Sequence, residues 1–238
     1  MAESKTDKTV SIVARTPSLA AQAIACVITV PTFKRPDQLL NTLHSLASQA
    51  TERRFAVIVM ENEAEERAGA KAVSPLFADG TFNGLVIVAH KRGNCCAYNA
   101  GWETALSEFP DFRYLAVIDD DELASPHWLE NLCATAERFD ADIVGGPQVP
   151  VFAKPAHERW ATHPVFAPPY DETARVPALY SSGNLLLTRR VLETMPRPFL
   201  DLRFNFMGGG DSDFLSRASG KGFRLAWSAE AQTQEIVP

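Results

Sequence analysis

Short apolar runs alternate with longer, helically spaced segments as far as Gly146. Residues 25–30 (ACVITV), 55–60 (FAVIVM), 85–89 (LVIVA) and 114–118 (YLAVI) are rich in valine and isoleucine, and each predicts a strand. The last of these is followed directly by acids yet carries no charge itself, which marks a strand buried on both faces. Helical spacing fills the intervals. Pro36 opens one helix with Leu39, Leu40, Leu43 and Leu46 on a common face. Residues 94–107 predict a second, with Tyr98, Trp102, Ala105 and Leu106 inward, and Pro126 opens a third through Trp128, Leu129, Leu132, Cys133 and Ala136. Residues 142–144 begin another short strand. Such alternation predicts an α/β fold on a mainly parallel sheet flanked by helices.

Past Pro150 the period is lost. Residues 151–180 are dense in proline and aromatics, a composition expected of an irregular functional loop or lid. A strand at 184–188, a short helix at 189–195 and a glycine turn at 208–210 follow, then a helix from Asp211 to Ser219 closed by Gly220. Residues 1–22 lack the apolar core of a secretory signal and predict a polar, mobile leader. The rest forms one domain, 23–238, split at 146/147 into a half rich in strand ends and an irregular half.

Composition narrows the function. The 238 residues are 46% hydrophobic and 22% charged, as in ordinary globular proteins, and the net charge of −6 with no basic run argues against nucleic acid as a partner. No apolar stretch reaches the roughly 18 residues of a membrane span, so a cytoplasmic protein is expected. The four cysteines, Cys26, Cys95, Cys96 and Cys133, show no C-x-x-C spacing and read as free thiols.

The candidate chemistry sits at the strand ends, where ligands bind in open α/β sheets. The first strand runs into Pro31-Thr32-Phe33-Lys34-Arg35-Pro36, a loop with two cations before a helix N-terminus, suited to an anion or nucleotide. The second ends at Glu61-Asn62, whose oxygens could accept from a base N–H, and the third at His90-Lys91-Arg92-Gly93-Asn94. The fourth ends in Asp119-Asp120-Asp121-Glu122, four successive carboxylates. Extended-chain alternation turns Asp119 and Asp121 one way and Asp120 the other. That pair suits Mg2+ or Mn2+ shared with substrate phosphates; the alternative is an acidic turn capping the helix at Ser125-Pro126. A second acidic group, GGGDSDF at 208–214, lets glycine backbone approach a ligand and offers Asp211 as a general base, with Asp213 open to an N-capping role.

In this order, VPTFKRP, VIVMEN, KRGNCCAYNA, VIDDDE with PHWL, SSGNLLLTR and GGGDSDF resemble family-2 glycosyltransferases of the Rossmann-like GT-A fold, across nearly all of 26–238. The resemblance implies an inverting enzyme of the bacterial polysaccharide type. It would move one sugar from a nucleoside diphosphate-sugar to a glycan or lipid-linked acceptor with Mn2+ or Mg2+, at most peripherally seated on the inner face of a membrane. By match, Asp119 and Asp121 hold metal and diphosphate, and Asp211 is the base. Pro31, Thr32, Arg35, Glu61, Asn62, Lys91 and Arg92, with Asp119 and Asp120, form the nucleotide side. Asn184, preceded by Gly183, borders the donor sugar. Gly209, Gly210 and Asp213 belong with the sugar or acceptor, as does Trp160, which with Tyr170 offers a stacking face. The sequence also departs from the pattern. Gly210 stands where many relatives carry an acid, Glu61 where many carry Asp, and Gln234 or Glu235 where some carry a metal-binding His. The Q-x-x-R-W signature of processive synthases is absent, which points to single-sugar addition. The chain ends where such proteins usually continue, the pattern of a catalytic domain within a longer protein.

Other readings share the strand-end acids. A sugar-phosphate nucleotidyltransferase would carry a glycine-rich loop after the first strand, where Pro31-Thr32-Phe33 stands. An aspartyl phosphatase would place its D-x-D near the amino terminus. A nucleotide-sugar sensor without turnover would be marked by Gly210.

Overall fold

The computed structural model describes residues 9–19, 23–161, 163 and 166–237. Four parallel strands form the centre of the sheet: β2 (Cys26–Thr32), β3 (Phe55–Glu61), β4 (Gly84–Ala89) and β5 (Tyr114–Ile118), in the order β4-β3-β2-β5. Every residue of β4 and β5 is buried, as their uninterrupted apolar runs require. Beyond β5 the sheet becomes mixed. The strand β10 (Asn184–Thr188) runs antiparallel to β5 and to β7 (Ile143–Gly145), and β11 (Leu225–Trp227) lies parallel to β7 with β9 (Ala174–Arg175) at the edge. Because β10 is antiparallel, its first residue pairs with the last of β5, Asn184 with Ile118. Residues 182–183 are thereby delivered to the acid cluster.

The opposite edge corrects the expectation of a mobile leader. Residues 10–15 form β1 (Val10–Arg15), antiparallel to β4, while residues 1–8 and 20–22 of that leader lie outside the described residues. Ile12 and Val13 stay exposed on this edge strand, so its apolar pattern is weak. Further elements emerge from segments without a clear period. They are a helix, α2 (Ala68–Ala78), and a small sheet of β6 (Glu122–Ala124), β8 (Gln148–Phe152) and β12 (Thr233–Val237). The segment 151–180 has little regular structure beyond the end of β8, a 3-10 turn at Pro155–Trp160 and β9.

Helices cover both faces. On one lie α1 (Pro36–Ala47), α2 and α4 (Trp128–Phe139), with Leu39, Leu43, Leu46, Phe77, Trp128, Leu129 and Leu132 buried against the sheet. On the other lie α3 (Asn94–Glu108), α5 (Arg189–Thr194) and α6 (Gly210–Gly220). The helix α3 sits very close to β3, since a Cβ at Gly101 would fall 1.8 Å from Met60 Sδ. The next residue, Trp102, is fully buried and meets Tyr98, Phe199 and Phe214 edge-on at centroid distances of 5.7, 5.5 and 5.1 Å. This contact ties α3 to α6 and to the loop that carries Phe199.

Trp102→Ala should therefore lower unfolding free energy by roughly 3–5 kcal/mol, the usual cost of emptying a large aromatic site. Urea titration followed by circular dichroism measures it, and a loss under about 1 kcal/mol would mean the helices close the gap.

Candidate active site

A cleft of about 460 Å3 opens at the carboxyl ends of β2 to β5, within the range of small-ligand pockets. Pro31, Thr32, Phe33, Arg35, Asn62, Arg92, Asp119, Asp120, Asp121, Gln148 and Glu235 are among its walls. The acid cluster divides differently from strand alternation, since Arg35 joins Asp120 to Asp121 while Asp119 turns to Tyr98. Asp120 turns inward, is buried, accepts from Thr32 Oγ1 at 2.7 Å and from Arg35 Nη1 at 3.1 Å, and so fastens β5 to the β2 loop. Asp121 takes the other side of Arg35 Nη1 at 2.5 Å. Asp119 accepts from the buried Tyr98 hydroxyl at 2.9 Å, and Tyr98 in turn is 3.3 Å from Ser182 Oγ.

Four carboxylates share little solvent here. Burial pushes the Asp119 carboxyl up to about 7, with the Tyr98 hydroxyl pulling it down and the charges of Asp121, Asp120 and Glu235 pushing it further up. Burial, then the Asp119 charge, also holds Glu122 well above the usual carboxylate range. Glu122 Oε1 accepts from Gln148, while its buried Oε2 has no hydrogen-bond partner among the described residues. Glu235 arrives from β12, opposite Glu122, and is raised by burial and by Asp121. Among the described residues no three His, Cys, Asp or Glu side chains are arranged to hold an ion alone. The hard oxygen donors and the uncompensated acid charge fit a divalent cation that draws its remaining ligands from phosphate and water. Gly183 makes room for this cluster. A Cβ there would lie 2.4 Å from Gln148 Nε2, 2.7 Å from Glu122 Oε1 and 3.0 Å from Asp119 Oδ2.

Several sequence-based assignments are corrected. Glu61 is fully buried and accepts backbone N–H groups of Glu63 and Ala70 at 3.0 and 2.9 Å, so it braces the start of α2 and does not meet a ligand. Asn62 does border the cleft, but its amide is spent bridging loops, donating to Ala89 O and Lys91 O and accepting from Gly93 N at 2.6 Å. Asn184 is buried, accepts from Trp128 Nε1 at 2.8 Å and donates to Pro147 O and Ala231 O, which leaves no free group for a sugar. Lys91 is exposed and does not line the cleft, whereas Arg92 does, lying over the Phe33 ring at 4.9 Å. Trp160 is 46% exposed on its 3-10 turn against His163, away from the cleft. Tyr170 packs on Trp227 and donates to Ala178 O.

The segment before α6 closes one side. Gly209 is left-handed at the helix entrance (φ 84°), and neither it nor Gly210 lines the cleft. Asp213 is paired with Arg217 at 2.8 Å, one turn on, and Arg217 also donates to Phe199 O. Asp211 makes no ion pair among the described residues and accepts only from the Ser212 N–H at 2.8 Å. It is not among the cleft walls, although the preceding Gly210 packs on Cys95, next in sequence to the lining residue Asn94. Phe33, Tyr98, Gln148, Asn205 and Phe206 were not singled out by the sequence as site residues. Tyr98 was visible only as an inward helix position, and Gln148 and Phe206 had no periodic signal.

Strand-end acids, a basic cleft wall and a parallel nucleotide-binding half with a mixed extension define a GT-A type α/β protein. The family described as glycosyl transferase family 2 matches residues 27–195, and the chain belongs to that family of glycosyltransferases. It is 34% identical over 220 residues to the succinoglycan biosynthesis protein ExoM of Rhizobium meliloti; the match covers 89% of this chain but only 66% of that protein's length. Solved structures of S. aureus TarS superpose with a TM-score of 0.70 at 15% identity, over 90% of this chain and 37% of that one. TarS 1-349 in complex with UDP gives 0.67 at 15% identity, and with UDP-GlcNAc 0.65 at 16%, each over 90% of this chain, and over 61% and 59% of theirs. At these identities the likeness speaks to the fold.

A folded-state carboxyl raised to about 7 binds protons more readily than the unfolded chain, so its contribution to stability is present in acid and lost as pH rises through 7. In the nucleotide-free protein, Asp119→Asn should raise the melting temperature at pH 8 by several degrees and change it little at pH 4. A melting series across that range checks the sign, and a gain confined to low pH would contradict the assignment.

Proposed function

We infer that the chain transfers one sugar, with inversion, from a nucleoside diphosphate-sugar to a hydroxyl of a saccharide or lipid-linked acceptor in polysaccharide assembly. The observation that carries this reading is the carboxylate cluster in the cleft wall. Asp119, Asp120 and Asp121 all border a nucleotide-sized cleft beside Arg35 and Arg92, with Asp120 held by Thr32 and Arg35 and Asp121 by Arg35. The UDP and UDP-GlcNAc complexes of TarS support a uridine nucleotide as the first donor to test, and the likeness to ExoM supports a polysaccharide product.

In this reading Asp119 and Asp121 hold Mg2+ or Mn2+ together with the diphosphate. Bound there, the cation would offset the charge of the departing diphosphate, so that no general acid is needed. Phe33 supports the nucleoside, and Arg35 and Arg92 add positive potential at the phosphates. The acceptor hydroxyl oxygen bonds to the anomeric carbon and its proton passes to an Asp211 oxygen. The bond from that carbon to the diphosphate oxygen breaks, and its electron pair leaves with the nucleotide. Asp211 suits the base because it is the carboxylate of α6 without a cationic partner, whereas Asp213 is held by Arg217. Two residues apart on a helix they point about 200° apart, so they cannot share the role.

Titration calorimetry with UDP should show affinity that depends on Mn2+ or Mg2+ and collapses in Asp121→Asn. Equal UDP affinity with and without the cation would remove the metal from the reading. Asp211→Asn should keep UDP binding and reduce transfer roughly 100-fold or more, the scale of a lost general base. Asp213→Asn should cost far less, and the reverse ranking would move the base to Asp213.

A further inference from the structure

The turn that leads into α6 carries three large apolar side chains into solvent beside the cleft mouth. Leu202 is 47% exposed, Phe206 75% and Met207 76%. Their exposure does not come from a loose loop. The 3-10 turn Leu202–Phe204 is capped by Asp201, and Met207 N and Gly208 N donate to Phe204 O at 3.2 Å. Asn205, between the exposed residues, donates to Arg92 O at 2.9 Å and accepts from Cys96 N at 3.3 Å, which pins the turn to the entrance of α3. Gly93 leaves space for that amide, since a Cβ there would fall 2.0 Å from Asn205 Nδ2. Three apolar side chains are thus held outward at a fixed site, and one of them, Phe206, also forms the rim of the cleft.

Cations flank this turn in a protein whose net charge is −6. Lys34 and Arg92 lie over the Phe33 ring at 5.6 and 4.9 Å, and Lys91 is exposed beside them. None of the three forms an ion pair among the described residues. A convex turn with three apolar side chains falls well short of the roughly 800 Å2 per partner that a stable protein interface buries. A bilayer can take in such a protrusion, because binding there scales with the apolar area inserted plus attraction of cations to anionic headgroups. The geometry points to residues 202–207, with Lys34, Lys91 and Arg92, as the surface that docks the enzyme on an anionic lipid bilayer. Docking on this face turns the cleft mouth toward the membrane, where a lipid-linked acceptor presents its sugar. Binding to lipid needs no turnover, so its failure would leave the assignment as a transferase untouched.

The test is flotation of the whole chain with phosphatidylcholine vesicles, with and without phosphatidylglycerol. The chain should float with the anionic vesicles, less so in high salt, and remain free with the neutral ones. Leu202→Asp with Met207→Asp should lower the bound fraction by about 10-fold or more, as insertion is lost. Lys34→Glu should weaken it separately. UDP affinity and circular dichroism should be unchanged in the double variant, since neither residue lines the cleft. No flotation with anionic vesicles, or equal flotation of the double variant, overturns the proposal. Unchanged flotation with a shift in oligomeric state on a sizing column would give the surface to a second copy instead, and would overturn it too.

Discussion

Four carboxylates in succession at the end of a buried strand repel one another, and the surrounding structure is arranged around that repulsion. Each acid is given a partner: Thr32 and Arg35 for Asp120, the same Arg35 for Asp121, Tyr98 for Asp119 and Gln148 for Glu122. These partners come from the β2 loop, α3 and β8, so the cluster is also the point where separate elements are fastened together. Compensation is incomplete. Burial keeps Asp119 near 7, and Glu122 Oε2 has no hydrogen-bond partner among the described residues, which is stability surrendered at the site.

The sheet makes this arrangement without long loops. Parallel strands bring β2, β3, β4 and β5 to one edge, and the reversal at β10 brings Ser182 and Gly183 back to the same point. A second short sheet then lays Glu235 opposite Glu122. The positions that tolerate least change are therefore glycines. Gly183 lets three polar side chains converge, and Gly101 lets α3 come close enough for Tyr98 to reach Asp119.

Elements buried on both faces were legible in the sequence, because burial leaves an uninterrupted apolar run: β5 and β10 begin and end where the pattern does. Elements at edges were not. In β1 exposed Ile12 and Val13 blur the alternation, α2 carries Pro75 within an alanine-rich stretch, and β12 owes its place to pairing with β6 and β8 rather than to its own composition. The site divides in the same way. Alternation grouped Asp119 with Asp121, whereas Arg35 joins Asp121 to Asp120. It could not tell that Glu61 and Asn184, polar residues at strand ends, satisfy backbone groups and Trp128 instead of a ligand. A polar side chain at a strand end has two uses, and the choice depends on neighbours distant in sequence.

Gly210 illustrates the coupling most sharply. The resemblance to family-2 enzymes leads one to expect an acid there, ahead of Asp211. A Cβ on Gly210 would fall 2.7 Å from Cys95 Sγ and 3.4 Å from Phe204 Cβ, inside the contact between the starts of α3 and α6. The thiol fills the space that a longer side chain would need, so an acid at 210 would require Cys95 to shift. Its effect falls on the acceptor side. The carboxylates beside the cleft wall, Asp119 and Asp121, keep their arrangement, while Asp211 is left without an acidic neighbour on its N-terminal side. Close by, Ser212 Oγ donates to Tyr180 O at 3.3 Å. In the proposed reading the donor side is set by strand ends of the parallel sheet, and the acceptor side by the packed turn that leads into α6.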